Sequence, residues 1–186
     1  AIYVGGTNSK VDINGAVTLA TGTILIDTIT SDGAVTITGT VTGTRDLDIL
    51  SGTALTTITG NIGGGGTPLA SLDINAADTA GDTGGVTLGG DIGVGAVSGT
   101  TPGAGIVRLG NTNTTGTITL SGSAYNTSGA LTLKGGAYSI SNAADVTIVT
   151  SGDAVTFGES GMTSDLTIGE TKLTIDTDTL DGGGAN

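Results

Sequence analysis

Residues 35–41 read Val-Thr-Ile-Thr-Gly-Thr-Val, and this short stretch contains the pattern on which the fold depends. Aliphatic residues and threonines alternate with a period of two, which places the aliphatic side chains on one face of a β-strand and the threonines on the other. A glycine then interrupts the alternation, as is typical where a chain bends sharply. The stretch therefore predicts a short strand with one buried face, followed by a corner.

The central triplet of this stretch, an aliphatic residue, Thr and a second apolar residue, recurs along the chain. Further copies are Val17-Thr18-Leu19, Val86-Thr87-Leu88, Ile118-Thr119-Leu120, Leu131-Thr132-Leu133, Val146-Thr147-Ile148, Val155-Thr156-Phe157, Leu166-Thr167-Ile168 and Leu173-Thr174-Ile175. Variants with a charged centre are Leu47-Asp48-Ile49, Leu72-Asp73-Ile74 and Val107-Arg108-Leu109. No stretch shows the 3.6-residue apolar period of an amphipathic helix, so we predict an almost entirely β chain.

The repeat predicts how these strands pack. One short strand cannot bury its apolar face alone, but it can when it stacks on a copy of itself. The spacings fit coils of roughly 18–25 residues that rise about 4.8 Å each. We therefore predict an all-β parallel β-helix, or β-solenoid, of roughly seven to ten coils. It forms a single domain over residues 1–180, followed by a Gly-rich tail at residues 181–186. A β-sandwich is the alternative, but only Asn14-Gly15 and Asp32-Gly33 suggest the tight hairpin turns that it needs.

Composition limits the possible functions. Of 186 residues, 36 are Gly, 37 are Thr and 2% are aromatic, so the core has to be built from rows of small and branched side chains. His and Cys are absent, which excludes imidazole or thiolate metal sites and catalysis that needs those groups. Seventeen acidic and five basic residues give a net charge of −12, which argues against nucleic-acid or anionic-membrane partners.

The same composition suggests where the protein works. The apolar runs are short, so we expect no insertion into a membrane. An acidic chain that is rich in Thr and Gly and free of Cys is typical of secreted bacterial surface proteins. We therefore expect an extracellular location, at the bacterial cell surface.

The most distinctive stretch is residues 60–74, Gly-Asn-Ile-Gly-Gly-Gly-Gly-Thr-Pro-Leu-Ala-Ser-Leu-Asp-Ile, with a looser copy at residues 90–93 and 101–107. It resembles a turn-and-strand motif of large bacterial β-strand-repeat surface proteins, the class of filamentous-haemagglutinin-like adhesins. As a style of repeat the resemblance covers most of the chain. It implies secretion, a right-handed parallel β-helix, and a role in adhesion or in surface fibres and matrix.

Paired carboxylates are the first candidates for chemistry. Asp46 and Asp48 lie two positions apart and therefore point to one side of a strand, as do Asp176 and Asp178. A glycosidase needs two carboxylates at a fixed gap beside a sugar-binding platform. Trp is absent and basic residues are scattered, so we predict no enzymatic activity and interpret these acids as solvated charges.

Calcium is the one cofactor that the sequence suggests. Asp176, Asp178 and Asp181 offer three carboxylates beside the Gly-rich tail, and Ca²⁺ prefers six to eight oxygen ligands. The spacing matches neither an EF-hand nor the Gly-rich calcium-binding nonapeptide. A calcium site and a group of solvent-screened acids therefore both stay open.

Two further patterns concern the surface of the coil. An ice-binding face needs Thr-x-Thr at a constant coil period. The spacing of the threonines varies here and Asp and Gly interrupt the Thr pairs, which argues against such a face. Residues 118–125 and 131–138 match over eight positions when the two segments are aligned. This match predicts equivalent places for Tyr125 and Tyr138 in neighbouring repeats, as a stacked aromatic ladder or as an exposed sugar platform.

The ends of the solenoid decide between functions. No helix is predicted to cover the terminal coils, so their backbone groups need another copy or further parts of a longer chain. We expect Tyr3 and Val4 at one end, and Leu173, Ile175 and Leu180 at the other, to form the junction. The leading hypothesis is a non-catalytic structural component of an extracellular fibre, matrix or adhesin that assembles end to end. The alternatives are a module that binds a surface polysaccharide and a polysaccharide-degrading enzyme.

Overall fold

The computed structural model describes residues 1–7, 9–64, 67–93, 102–158, 164–169 and 172–177. Within these ranges the regular structure consists of nineteen short strands and one 3₁₀ turn at Ile29–Ser31. All strand pairs are parallel, which identifies a β-solenoid and excludes the antiparallel β-sandwich. No helix in the described part of the chain has the length and hydropathy needed to cross a bilayer.

The chain winds around three sides, which we call B, C and A in the order in which each coil visits them. Side B is a seven-stranded sheet of β2 (Val11–Ile13), β5 (Val35–Ile37), β8 (Thr56–Ile58), β10 (Val86–Leu88), β12 (Thr117–Leu120), β15 (Ala137–Ile140) and β18 (Asp165–Ile168). Side C contains β3 (Val17–Leu19), β6 (Val41–Gly43), single bridges at Ile62 and Ile92, β13 (Ala124–Thr127), β16 (Val146–Thr150) and β19 (Leu173–Asp176).

Side A contains β1 (Ile2–Tyr3), β4 (Ile24–Asp27), β7 (Asp46–Leu50), β9 (Leu69–Ile74), β11 (Ala104–Leu109), β14 (Leu131–Leu133) and β17 (Val155–Phe157). Strand β11 pairs with β13 through Ala104 as well as with β14, so side A and strands β13, β16 and β19 of side C form one ten-stranded sheet. The seven strands of side B correspond to seven coils, a rod about 30 Å long at the usual strand spacing.

Successive coils keep their register although they differ in length. Along side B, Val35 pairs with both Val11 and Thr56. The coil from Val11 to Val35 is slightly longer than the coil from Val35 to Thr56. The coils from Thr56 to Val86 and from Val86 to Ile118 are both much longer than the next one, from Ile118 to Tyr138. The predicted range of coil lengths is therefore too narrow, because corners such as residues 75–85 absorb insertions without shifting the strands.

The core consists of rows of aliphatic side chains that run along the rod. One row on side B contains Ile37, Ile58, Leu88, Leu120 and Ile140, each at most 1% exposed. Burying such a side chain contributes about 1.5–3 kcal/mol, so the rows supply most of the stability. The threonines between the inward residues point outward, as the alternation predicts.

The last coil departs from this pattern. Leu166 and Ile168 were predicted to be buried but are 44% and 42% exposed. They lie on β18, which has a neighbouring strand on one side only within the described residues. Their exposure follows from their place at the end of the sheet and not from a change of register.

Glycines align at the corner between sides B and C. A Cβ atom at Gly39 would collide with the carbonyl oxygen of Gly15, and one at Gly60 would collide with that of Gly39. Gly90 approaches Gly60 in the same way, and Gly122 approaches Gly90. These four glycines, each two residues after a side B strand, are therefore required because backbones of adjacent coils touch at this corner.

The two matching segments occupy different sides of the coil. Tyr125 lies on side C beside Ile148, whereas Tyr138 lies on side B beside Ile118. Both tyrosines are at most 3% exposed, and both hydroxyls accept a hydrogen bond from a glycine three residues earlier, Gly122 at 2.7 Å and Gly135 at 3.0 Å. The match between the segments thus repeats a local motif on a different side, so the predicted tyrosine ladder and the exposed platform are both wrong.

A buried polar row lines the corner between sides A and B. Thr28, Ser51, Asn75 and Asn111 are all fully buried there. The Ser51 amide donates to Asn75 Oδ1 at 2.8 Å, and Asn75 Nδ2 donates to Ser51 Oγ at 3.0 Å. The Asn111 side chain donates to the Asn75 carbonyl at 2.7 Å. We call this row the corner ladder, and it pairs the backbone groups that the turn leaves without strand partners.

Candidate functional site

The outer face of side A carries most of the charged residues that the strands contain. In consecutive coils Asp48 pairs with Asp73, and Asp73 with Arg108. These are the three charged centres of the variant triplets, and the alternation places all of them outward. Asp46, on the same face, pairs with Ser71.

Most of these charges are satisfied by their neighbours. Arg108 donates from Nε and Nη2 to the two oxygens of Asp73 at 2.6 and 2.5 Å, a bidentate ion pair. Asp46 accepts hydrogen bonds from the hydroxyls of Ser71 at 2.9 Å and Thr23 at 3.1 Å. Among the described residues no donor reaches the carboxylate of Asp48, so it is the open acceptor of the group.

Asp48 faces a shallow cleft of about 440 Å³. Asp73 and Arg108 line it together with an apolar wall formed by Leu25, Leu50, Ala76 and Ala77. Burial raises the pKa of the Asp48 carboxyl, and the charges of Asp73 and Asp46 raise it further against the opposing effect of Arg108. The cleft therefore combines an open hydrogen-bond acceptor, a cation and an apolar surface, which is the composition of a small polar-ligand site.

The site in the structure contains more residues than the sequence analysis had grouped together. Asp46 and Asp48 share one face, as predicted, but Asp73 and Arg108 were not recognised as their partners. The available signal was the charged centre in three triplets, which marks an outward charge at the same position of each coil. It was missed because the triplets become neighbours only once the coil lengths are known.

The predicted calcium ligands give no site among the described residues. Asp176 lies on β19, while Asp178 and Asp181 lie outside the described part of the chain. No group of three or more acidic side chains within the described residues is arranged to hold a metal ion. The calcium prediction thus rests on the sequence alone.

The predicted junction residues lie at the two ends of the rod. Tyr3 is 71% exposed at one end and Ile175 is 45% exposed at the other. Val4 and Leu173 are half-buried and pack against the core, and Leu180 lies outside the described residues. Each end therefore presents at least one large apolar side chain to its surroundings.

No family model, curated protein or solved structure matches the chain. The fold alone therefore defines its class, a three-sided parallel β-solenoid. The resemblance to filamentous-haemagglutinin-like adhesins stays a prediction from the repeat style.

Proposed function

We propose that the protein is a non-catalytic structural component of an extracellular surface fibre, matrix or adhesin, in which one solenoid is continued end to end by the next. The observation that carries this proposal is that the ends of the rod expose strand edges and apolar side chains. Strands β2 and β18, at the edges of side B, have one neighbour each within the described residues. Ile2 and Tyr3 at one end, and Leu166, Ile168 and Ile175 at the other, are 42–71% exposed.

Such ends favour stacking for a physical reason. The edge of a parallel sheet offers a row of backbone donors and acceptors, and a first coil that stacks on a last coil would pair them and continue the apolar rows. The contact joins two different surfaces and does not close on itself, so it builds a filament. The net charge of −12 per chain repels neighbouring rods and favours single filaments over bundles.

Composition supports the remaining parts of the proposal. The Cys-free, Thr- and Gly-rich acidic chain favours an extracellular location, and the lack of His and Cys removes catalysis by an imidazole or a thiolate. The same architecture would also serve an adhesin stalk in which further coils belong to one longer polypeptide. Mass spectrometry of denatured native material separates the two forms, because a filament of separate subunits gives one species near 17.7 kDa.

Paired substitutions test the assembly. We expect sedimentation velocity and negative-stain microscopy to detect filaments of the 186-residue chain. Ile175→Asp, at the end of the rod, should shorten or abolish them, because a buried unpaired charge at the junction costs several kcal/mol. Leu55→Asp is the matched control, since Leu55 is 47% exposed in the middle of the rod against 45% for Ile175. A strictly monomeric wild type, or equal effects of the two variants, would contradict end-to-end assembly.

The cleft of side A favours a second candidate, binding of a surface polysaccharide. Asp48 can accept a hydrogen bond from a sugar hydroxyl, while the spare N–H groups of Arg108 donate to its neighbour and the apolar wall contacts the ring. NMR titration with neutral and acidic oligosaccharides should then shift amides near Asp48, and Asp48→Asn should weaken the effect. Shifts spread evenly over the rod, or unchanged by Asp48→Asn, would remove this candidate.

A further inference from the structure

The outer face of side B carries a regular array of hydroxyl groups. Register places Thr36, Thr57, Thr87, Thr119 and Ser139 in one column, one residue per coil. The amides two positions later continue the same backbone ladder from coil to coil. They belong to a second column, Thr38, Thr59, Gly89, Ser121 and Ser141, in which every residue except Gly89 carries a hydroxyl. We call these two columns together the hydroxyl face.

The sequence argued against such an array because the triplets are unevenly spaced. The register removes the objection from spacing, since coils of unequal length differ only at their corners. Interruptions remain at Gly89 in the second column and at Asp12, which pairs with Thr36 at the end of the first. Hydroxyls on adjacent strands are therefore about 4.8 Å apart, and the two columns are about 6.6 Å apart along the strand. The direct contact between Ser121 Oγ and Ser141 Oγ, at 3.1 Å, shows that side chains of neighbouring coils point the same way.

The first column keeps its hydrogen-bonding capacity for something outside the protein. Within the described residues, the hydroxyls of Thr36, Thr57, Thr87 and Thr119 donate to no protein acceptor, unlike the buried hydroxyls of Thr28 and Ser51. Each of these four threonines is half-buried. The face thus offers methyl and hydroxyl groups in fixed places, with little side-chain freedom left to lose on binding.

Charge distinguishes the middle of this face from side A. The strands β5, β8, β10, β12 and β15 contain no charged residue, whereas the end strands β2 and β18 of side B contain Asp12 and Asp165, and Asp12 pairs with Thr36. The strands of side A contain Asp27, Asp46, Asp48, Asp73 and Arg108.

We propose that the hydroxyl face binds ice. A two-dimensional array without a cavity suits a periodic solid surface and not a single small molecule. Its spacings, about 4.8 by 6.6 Å, are close to the lattice repeats of ordinary ice, whose water molecules both donate and accept hydrogen bonds. A crystalline polysaccharide is the competing occupant, but faces that bind one use aromatic rings, and the outward positions of these five strands hold none. The proposal is independent of end-to-end assembly.

Two matched variants test it. Thr87 and Thr132 are both the half-buried centre of a three-residue strand, Val-Thr-Leu on side B and Leu-Thr-Leu on side A. We expect the wild-type protein to depress the freezing point of water below its melting point and to enter slowly grown ice. Thr87→Lys should lose both activities, because one long charged side chain lifts the array from the lattice, whereas Thr132→Lys should keep them. Thr119→Lys serves as a second variant on the same face, and circular dichroism checks that all three fold.

The outcomes discriminate clearly. Exclusion of the wild-type protein from growing ice, with no freezing-point effect, overturns the proposal. Equal losses in Thr87→Lys and Thr132→Lys overturn it as well, because the activity would then not belong to side B. Retention on microcrystalline cellulose or chitin that Thr87→Lys abolishes, without any effect on ice, would assign the face to a polysaccharide surface instead.

Discussion

Replacing Asn75 by Ala tests the corner ladder. Asn75 is fully buried, and its side chain exchanges two hydrogen bonds with Ser51. Ala would leave the buried Ser51 amide without a partner, which costs about 1–3 kcal/mol. Asn75 also has a φ of 49°, a left-handed conformation in which Ala is less stable by about 1–2 kcal/mol. We therefore expect the free energy of unfolding to fall by about 2–5 kcal/mol.

The measurement is urea unfolding followed by far-ultraviolet circular dichroism, with the slope compared between variants. Asn61→Ala is the control, because Asn61 is exposed and its Oδ1 accepts one hydrogen bond, from the Asp91 amide at 3.0 Å. It should lose at most about 1 kcal/mol. A loss below about 1 kcal/mol for Asn75→Ala, or the same loss as for Asn61→Ala, would refute the role of the ladder.

Two further predictions concern the core and the cleft. Leu120→Asp should lower the free energy of unfolding by several kcal/mol, because it places a charge in an apolar row. Thr119→Asp, one position earlier, should lower it little. Equal melting temperatures for the two variants would contradict the alternation. The raised pKa of Asp48 means that the folded protein holds this proton more tightly than the unfolded chain, so the charged carboxylate costs stability above its pKa. Asp48→Asn should therefore increase the free energy of unfolding at pH 7, by less than about 1 kcal/mol at this half-exposed site. This gain in stability should vanish as the pH falls below about 4. A gain that persists at about pH 3 would show that it has another cause.

The sequence predicted the fold because its physics is local. Alternation in triplets such as Val35-Thr36-Ile37 determines which side chains face inward, and stacking copies of one short strand in parallel lets them share a core. The number of residues in each coil was harder to predict than the inward and outward faces of its strands. Corners tolerate insertions, so the spacing of triplets does not reveal which of the three sides a triplet occupies, and Tyr125 and Tyr138 were paired wrongly for this reason.

The sites were less accessible to sequence reasoning because they depend on contacts between coils. Asp48, Asp73 and Arg108 lie far apart in the sequence and meet only through register. The corner ladder has a weak signal, a Thr, Ser or Asn just after the strands of side A, which resembles any polar turn. The hydroxyl face was set aside for the same reason, since uneven spacing in sequence hides even spacing in space.

The parallel stacking also determines how the rod would respond to a pulling force. Backbone hydrogen bonds between coils run along the axis of the rod. Tension on its ends would therefore break the hydrogen bonds of one coil before those of the next. Each released coil would add several tens of ångströms of extended chain, because an extended residue spans about 3.3–3.6 Å. A stalk whose coils belong to one continuous polypeptide would therefore lengthen in steps and absorb mechanical work while its remaining coils stay folded, whereas a filament of separate subunits would break where one junction opens.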